Sequence, residues 1–128
     1  IDFGHFLGHF KTKYGYQREK APFVFTNQFL HVLGGKDGDA YRVFEDAAIR
    51  AYNIVRKHAH LFISLFTMML SIGLEELQSK KNIMYLRDML CLDLDDKAAG
   101  ENLRERIDEA LSSRRQRLND VLHVIKHS

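Results

Sequence analysis

A single cysteine, a single proline and no long apolar run define what this sequence does without. Cys91, being alone, cannot form an intrachain disulfide, which argues against a stapled secreted scaffold and fits a reducing compartment. One proline and eight glycines in 128 residues leave no material for a collagen-like repeat or a proline-rich linker. The longest apolar stretch, residues 61–72, is broken by Ser64 and Thr67 and falls short of the roughly 20 residues a spanning helix needs. Charge of one sign is also scarce. A net charge of +2 means that any attraction to anions must come from local clusters. The chain opens on Ile1 with no secretory leader, so an upstream segment is expected. A soluble protein with at most peripheral membrane contact follows.

What is present suits a globular unit. Apolar residues make up 45% of the chain, and at this length roughly two-thirds of the unfolded surface can be buried. Residues 1–25 show no helical period and carry Gly4, Gly8, Gly15 and Pro22 among basic and aromatic side chains. They read as an extended, functional loop. From residue 26 onward the pattern is helical. Thr26 is placed to cap a short helix over residues 27–33, and Gly34-Gly35-Lys36-Asp37-Gly38 makes a turn. That turn lacks the preceding strand and the Gly-Lys-Ser/Thr ending of a phosphate loop.

Asp39 is expected to open a helix to about Arg56, with Val43, Ala47, Ala51 and Ile54 toward one side. Residues 58–72 are apolar nearly all round, which predicts a helix buried at a domain centre and stopped by Gly73. Phe62, Phe66, Met68 and Met69 there read as core rather than as a cofactor box. Ser79 is expected to cap a helix with Ile83, Leu86 and Leu90 on one stripe. Asp95 and Asp96 open another, with Leu103, Ile107, Ala110 and Leu111 at helical spacing and a solvated acidic face of Glu101, Glu105, Asp108 and Glu109. A last helix is expected over about residues 114–126. His123 and His127 lie four apart on it, but no carboxylate or cysteine nearby completes a zinc set.

The chemistry begins at Asp2-Phe3-Gly4. In kinases an aspartate in this motif chelates the magnesium that bridges the ATP phosphates, and the glycine lets the backbone bend. A carboxylate suits a hard cation that prefers oxygen ligands. Three residues alone arise by chance in many chains. Two basic boxes follow, however, Lys11-Thr12-Lys13 and Arg18-Glu19-Lys20, separated by Tyr14-Gly15-Tyr16-Gln17. Such a segment can pair with several phosphates at once, arginine by a bidentate fork and lysine as a point charge.

These motifs, together with Ala21-Pro22-Phe23, resemble the activation loop of class I phosphoinositide 3-kinases. The similarity continues through Ala51-Tyr52-Asn53-Ile54-Val55-Arg56-Lys57-His58, Gly73-Leu74-Glu75-Glu76-Leu77 and Tyr85-Leu86-Arg87-Asp88, and covers essentially the whole chain. The resemblance implies a mainly α fold: the helical C-terminal lobe of a phosphoinositide 3-kinase/4-kinase-type kinase. Residues 1–25 would be its metal-binding motif and activation loop, and residues 26–128 the helical part of the lobe.

By the same resemblance, Asp2 would hold Mg2+ with ATP as phosphoryl donor, and Lys11, Lys13, Arg18 and Lys20 would bind the lipid head group. The reaction implied is transfer of the γ-phosphoryl to the inositol 3-hydroxyl of phosphatidylinositol 4,5-bisphosphate. Phe10 and Thr12 stand where some members have further lysines, and Gln17 where a basic residue can occur, which thins the positive charge. The last helix would touch an anionic membrane through Arg114, Arg115, Arg117, Leu118, Val121 and Leu122. No glycine-rich loop, ATP-anchoring lysine or catalytic loop is found, so these residues alone are expected to be catalytically inert. Expected partners are the phosphoinositide and the membrane surface, an N-terminal lobe and upstream domains of the same polypeptide, and a regulatory subunit, with no nucleic acid. Cytoplasmic residence with peripheral recruitment follows. Two other readings stay open: a non-enzymatic phosphoinositide- or membrane-binding helical module, and a phosphatidylinositol 4-kinase or related protein kinase.

Overall fold

The computed structural model describes residues 12–13, 16–17, 25–73 and 80–126, with side chains for residues 25–73 and 80–112. Within the opening segment, β1 (Thr12–Lys13) pairs antiparallel with β2 (Tyr16–Gln17), setting Thr12 opposite Gln17 and Lys13 opposite Tyr16. The segment read as irregular therefore contains a short ladder. The rest is helical: α1 (Asn27–Val32), α2 (Asp39–Lys57), α3 (Ala59–Met69) with a 3-10 turn (Leu70–Ile72), α4 (Lys80–Met89) and α5 (Asp96–Lys126). The mainly α expectation holds.

Local chemistry sets most of these boundaries. Thr26 is extended, and its Oγ1 accepts the Phe29 N–H at 3.1 Å, satisfying one of the donors left open at the start of α1. The helix ends as Gly34 and Gly35 turn left-handed (φ 78° and 87°) and donate back to His31 O and Leu30 O. Gly73 (φ 80°) ends the 3-10 turn in the same conformation. At α5, Asp95 Oδ1 accepts the Ala98 N–H at 2.7 Å, the N-cap expected there. Ser79 lies outside the described residues.

The chain divides into two compact units. One takes in residues 20–49 and 101–128. Its core is Phe25, Leu30, Tyr41, Ile107, Ala110 and Leu111, with Leu33, Phe44 and Leu103 packed against it. Phe25 stacks on Phe44 at 5.3 Å between centroids and meets Phe29 edge-on at the same distance. The Leu103, Ile107, Ala110, Leu111 stripe is thus the buried face of α5, as its spacing required. The acidic side of that helix is less simply solvated than expected. Asp108 pairs with Lys36 at 2.7 Å, and Arg104 bridges Glu101 and Glu45, both at 2.9 Å.

The other unit takes in residues 1–19 and 50–100. Here α3 packs on α4, and Leu90 is buried, with Ile83 and Leu86 half-buried on the same stripe.

Three expectations need correction. Residues 96–126 form one helix, not two. Ser112 and Ser113 are tolerated mid-helix, and residues 101–126 hold neither glycine nor proline. Second, α3 is not buried all round: Leu61, Phe62, Leu65, Met68 and Ile72 are exposed, because among the described elements α4 covers only one side. Phe62 and Met68 are accordingly not core. Third, α2 turns Val43, Ala47, Ala51 and Ile54 outward and Tyr41 and Arg56 inward. Tyr41 brings an aromatic ring to the core, and the burial of Arg56 is offset by the acceptors its guanidinium finds.

Candidate functional site

The best-defined polar constellation is built on the second half of α2. Tyr52, Asn53 and Arg56 lie at i, i+1 and i+4, close enough on one helical side to act on a single target. That target is the connection between α4 and α5. Arg56 is only 8% exposed. Its Nε donates to Leu90 O at 2.8 Å, its Nη1 to Asn53 Oδ1 and Asp96 Oδ1, both at 2.8 Å, and its Nη2 to Cys91 O at 3.2 Å and to Leu94 O. A guanidinium has five N–H donors, and here each has an acceptor. Tyr52 Oη donates to Met89 O at 2.7 Å, and its ring lies 5.9 Å from the guanidinium carbon. Asn53 Nδ2 donates to Asp96 O at 3.1 Å.

These contacts answer a specific backbone need. The last carbonyls of α4 have no intrahelical partners, and the chain turns sharply through Cys91, a non-glycine residue at φ 48°. Arg56 supplies donors on both sides of that strained residue, so the turn is held by a buried cation where a glycine cap would otherwise serve. A cleft of about 520 Å³ opens beside it, lined by Asn53, Ile54, Arg56, Lys57, Leu92 and Asp96. Because every Arg56 donor is committed, the guanidinium is a scaffold there and not a receptor for phosphate.

A second polar cluster lies in the other unit. Tyr41 is 3% exposed, and its hydroxyl has no hydrogen-bond partner among the described residues. Burial, with the Glu45 and Asp108 carboxylates nearby, pushes its phenol up to about 12. A raised value means that the folded state keeps a proton which the unfolded chain releases near its ordinary value of about 10. The stabilisation is therefore complete below about pH 10 and is lost as the pH climbs to about 12, a change on the order of 3 kcal/mol. Denaturant titrations across that window are expected to show a steeper loss for the native protein than for Tyr41→Phe, with other titrating groups cancelling in the difference. Equal slopes would remove Tyr41 as the cause.

The residues singled out for chemistry fall mostly elsewhere. Asp2, Lys11, Arg18 and Lys20 lie outside the described residues. Lys13 lies on β1, and Gln17, which precedes Arg18, is set across from Thr12, between Lys11 and Lys13. The ladder thus brings together the backbone next to both basic boxes. Arg114, Arg115, Arg117, Leu118, Val121 and Leu122 lie on the unbroken distal part of α5, where positions 118, 121, 122 and 125 share a side by helical register. Among the described residues no group of three or more His, Cys, Asp or Glu could hold a metal ion. Among the described residues no helix is long and apolar enough to cross a membrane.

The Arg56 clamp was not anticipated. Its only local sign is a basic residue four positions after a tyrosine on a helix, which is far too common to single out a contact more than 30 residues away.

Comparison with known proteins places these elements. The family described as phosphatidylinositol 3- and 4-kinase matches residues 1–79. The chain is 48% identical over 127 residues to phosphatidylinositol 3-kinase 3 of Dictyostelium discoideum, covering 99% of this chain and 8% of that protein. It is 45% identical over 128 residues to phosphatidylinositol 3-kinase 1 of the same organism, covering 100% of this chain and 8% of the relative. A rat relative, phosphatidylinositol 3-kinase C2 domain-containing subunit gamma, is 39% identical over 127 residues, 98% of this chain and 8% of its own length. The chain therefore spans only about a twelfth of the relatives it matches. With the motif, the basic boxes and α1 to α3 all inside residues 1–79, the chain belongs to the phosphatidylinositol 3- and 4-kinase family.

Proposed function

We propose that these residues are the activation loop and helical lobe of a phosphatidylinositol 3-kinase acting on phosphatidylinositol 4,5-bisphosphate. The observation that supports this reading is the identity of 45–48% to relatives named phosphatidylinositol 3-kinase, in matches that cover 99–100% of the chain. In this reading Lys11, Lys13, Arg18 and Lys20 grip the head-group phosphates and so present the 3-hydroxyl, while Asp2 holds Mg2+. When bound, Mg-ATP supplies the phosphoryl group with its charge partly neutralised. The β1–β2 ladder supports the reading, since it ties together the backbone beside the two boxes. The distal face of α5 rests on an anionic membrane surface, consistent with a cytoplasmic enzyme recruited peripherally. The N-terminal lobe and catalytic loop are contributed by other parts of the polypeptide, and a regulatory subunit is a further expected partner.

The test is phosphoryl transfer from labelled ATP by the complete protein. Acceptors are vesicles of phosphatidylinositol, its 4-phosphate and its 4,5-bisphosphate, with the product position determined. Product at the 3-position is expected. Lys11→Ala with Lys13→Ala should lower kcat/KM for the bisphosphate about a hundredfold or more and leave unphosphorylated lipid unaffected, since each of the two charge-assisted phosphate contacts contributes about 1.5–3 kcal/mol. The 128-residue chain alone should show no transfer. No product from any lipid, or an equal loss on all three, would overturn the assignment.

A further inference from the structure

Tyr41, Glu45 and Asp108 meet where α2 passes α5 inside one compact unit. Lys36, just before α2, faces Asp108, while Glu45, within α2, accepts from Arg104 Nε at 2.9 Å. Higher numbers on α2 thus meet lower numbers on α5, and the two helices run in opposite directions here. Tyr41 lies one turn before Glu45 and Asp108 one turn after Arg104, so Tyr41 and Asp108 share a level. Ile107, Ala110 and Leu111 share the core with the Tyr41 ring.

Two atoms at this level, Tyr41 Oη and Asp108 Oδ1, are closed to solvent and have no hydrogen-bond partner among the described residues. Lys36 Nζ lies 2.7 Å from Asp108 Oδ1, but off the line a hydrogen bond needs. Glu45 is near enough to help raise the Tyr41 phenol, yet does not receive its hydroxyl. The phenol keeps its proton at neutral pH and so holds one O–H to donate. Its oxygen rides on a rigid ring that is 3% exposed and packed 6.4 Å from Phe44, centroid to centroid. It cannot swing to a carboxylate without unpacking the core. Buried hydroxyls are nearly always satisfied, so a partner must come to this one.

The charges select that partner. Glu45 and Asp108 are matched by Arg104 and Lys36, and the side chain of Glu101, the other acceptor of Arg104, is 57% exposed. An ion would therefore find no buried charge to neutralise. A phenol donor beside two carboxylate acceptors calls for a small neutral molecule that accepts one hydrogen bond and donates two.

We propose that one ordered water joins Tyr41 Oη to Asp108 Oδ1 and the Glu45 carboxylate, cross-linking α2 to α5. The site is independent of the kinase reading, since residues of this unit alone form it. The first test is a high-resolution crystal structure of the complete protein. A single peak at hydrogen-bond distance from Tyr41 Oη, Asp108 Oδ1 and a Glu45 oxygen is expected, and Tyr41→Phe should remove it. A direct bond from Tyr41 Oη to either carboxylate, or no peak there, would overturn the proposal. So would a peak ringed by about six oxygens at metal–ligand distances, which would mean a cation.

Amide exchange in the complete protein gives a second readout, by its sign. Removing a buried hydroxyl that has no partner is neutral or stabilising, whereas removing one that holds a bridging water loses a hydrogen bond. Tyr41→Phe should therefore lower the protection of residues 103–111 about threefold to tenfold, the effect of one lost hydrogen bond. Equal or higher protection in the variant would overturn the bridge, and the crystal structure of the unsubstituted protein decides the matter if the variant does not fold.

Discussion

Arg56→Ala is expected to loosen the α4–α5 connection by about 3–5 kcal/mol, the usual range when one partner of a buried charged network is removed. The substitution leaves the Leu90, Cys91 and Leu94 carbonyls and the Asn53 side-chain oxygen without the donors they now have. Buried acceptors stripped of partners cost about 1–3 kcal/mol each, and partial access of water to the turn keeps the sum below that total. Cys91 would also lose the contacts that hold it at a positive φ.

The readout is local amide exchange. Protection of residues 86–95 should fall by a factor on the order of a hundred or more, while residues 101–111 stay unchanged. Arg56→Lys should recover only part of the loss, because an ammonium cannot reproduce a five-donor fork. Asp96→Asn should cost under about 1 kcal/mol, since that side chain is 81% exposed against 6% for Arg56. If Asp96→Asn proved as damaging as Arg56→Ala, the ion pair and not the carbonyl contacts would be the source of stability.

Changing Arg114, Arg115 and Arg117 together to glutamine is expected to weaken binding to anionic vesicles about 150-fold at low salt. The figure comes from about 1 kcal/mol per basic residue near an anionic surface. The effect should shrink as salt rises, because these charges act through screened space. Continuity of α5 matters here, since an unbroken helix keeps residues 114, 115 and 117 within about three turns of positions 118, 121, 122 and 125. Binding measured by vesicle co-sedimentation of the complete protein that is unchanged at low salt would sink the membrane contact.

Local signals carried much of the fold. Thr26, Gly73 and Asp95 stand where caps and stops were expected, and Ile107, Ala110 and Leu111 are buried as their spacing required. What escaped was non-local. The inward side of α2 was misread because hydrophobicity alone favours Val43 and Ile54, whereas the structure buries an arginine whose acceptors lie on another element. The burial of α3 was inferred from its composition, which does not say how much of a helix its neighbours cover. The separate helix expected from about Arg114 is continuous with the one before it, because residues 101–126 are a run without glycine or proline. The sites themselves were readable only as motifs, because Asp2 and three of the four head-group residues fall outside the described structure.

The single α5 also sets a phase relation. Ile107, Ala110 and Leu111 fasten the helix to its core, and everything after them on the same rod inherits their angular setting. A one-residue insertion between 112 and 113 would turn the 118, 121, 122 and 125 side by about 100°, swinging it away from whatever it meets. Seven inserted residues would carry that side about 10 Å further out yet return it to within about 20° of its original heading. Length and direction at the end of this helix are thus separable quantities, and spacing alone can tune one while sparing the other.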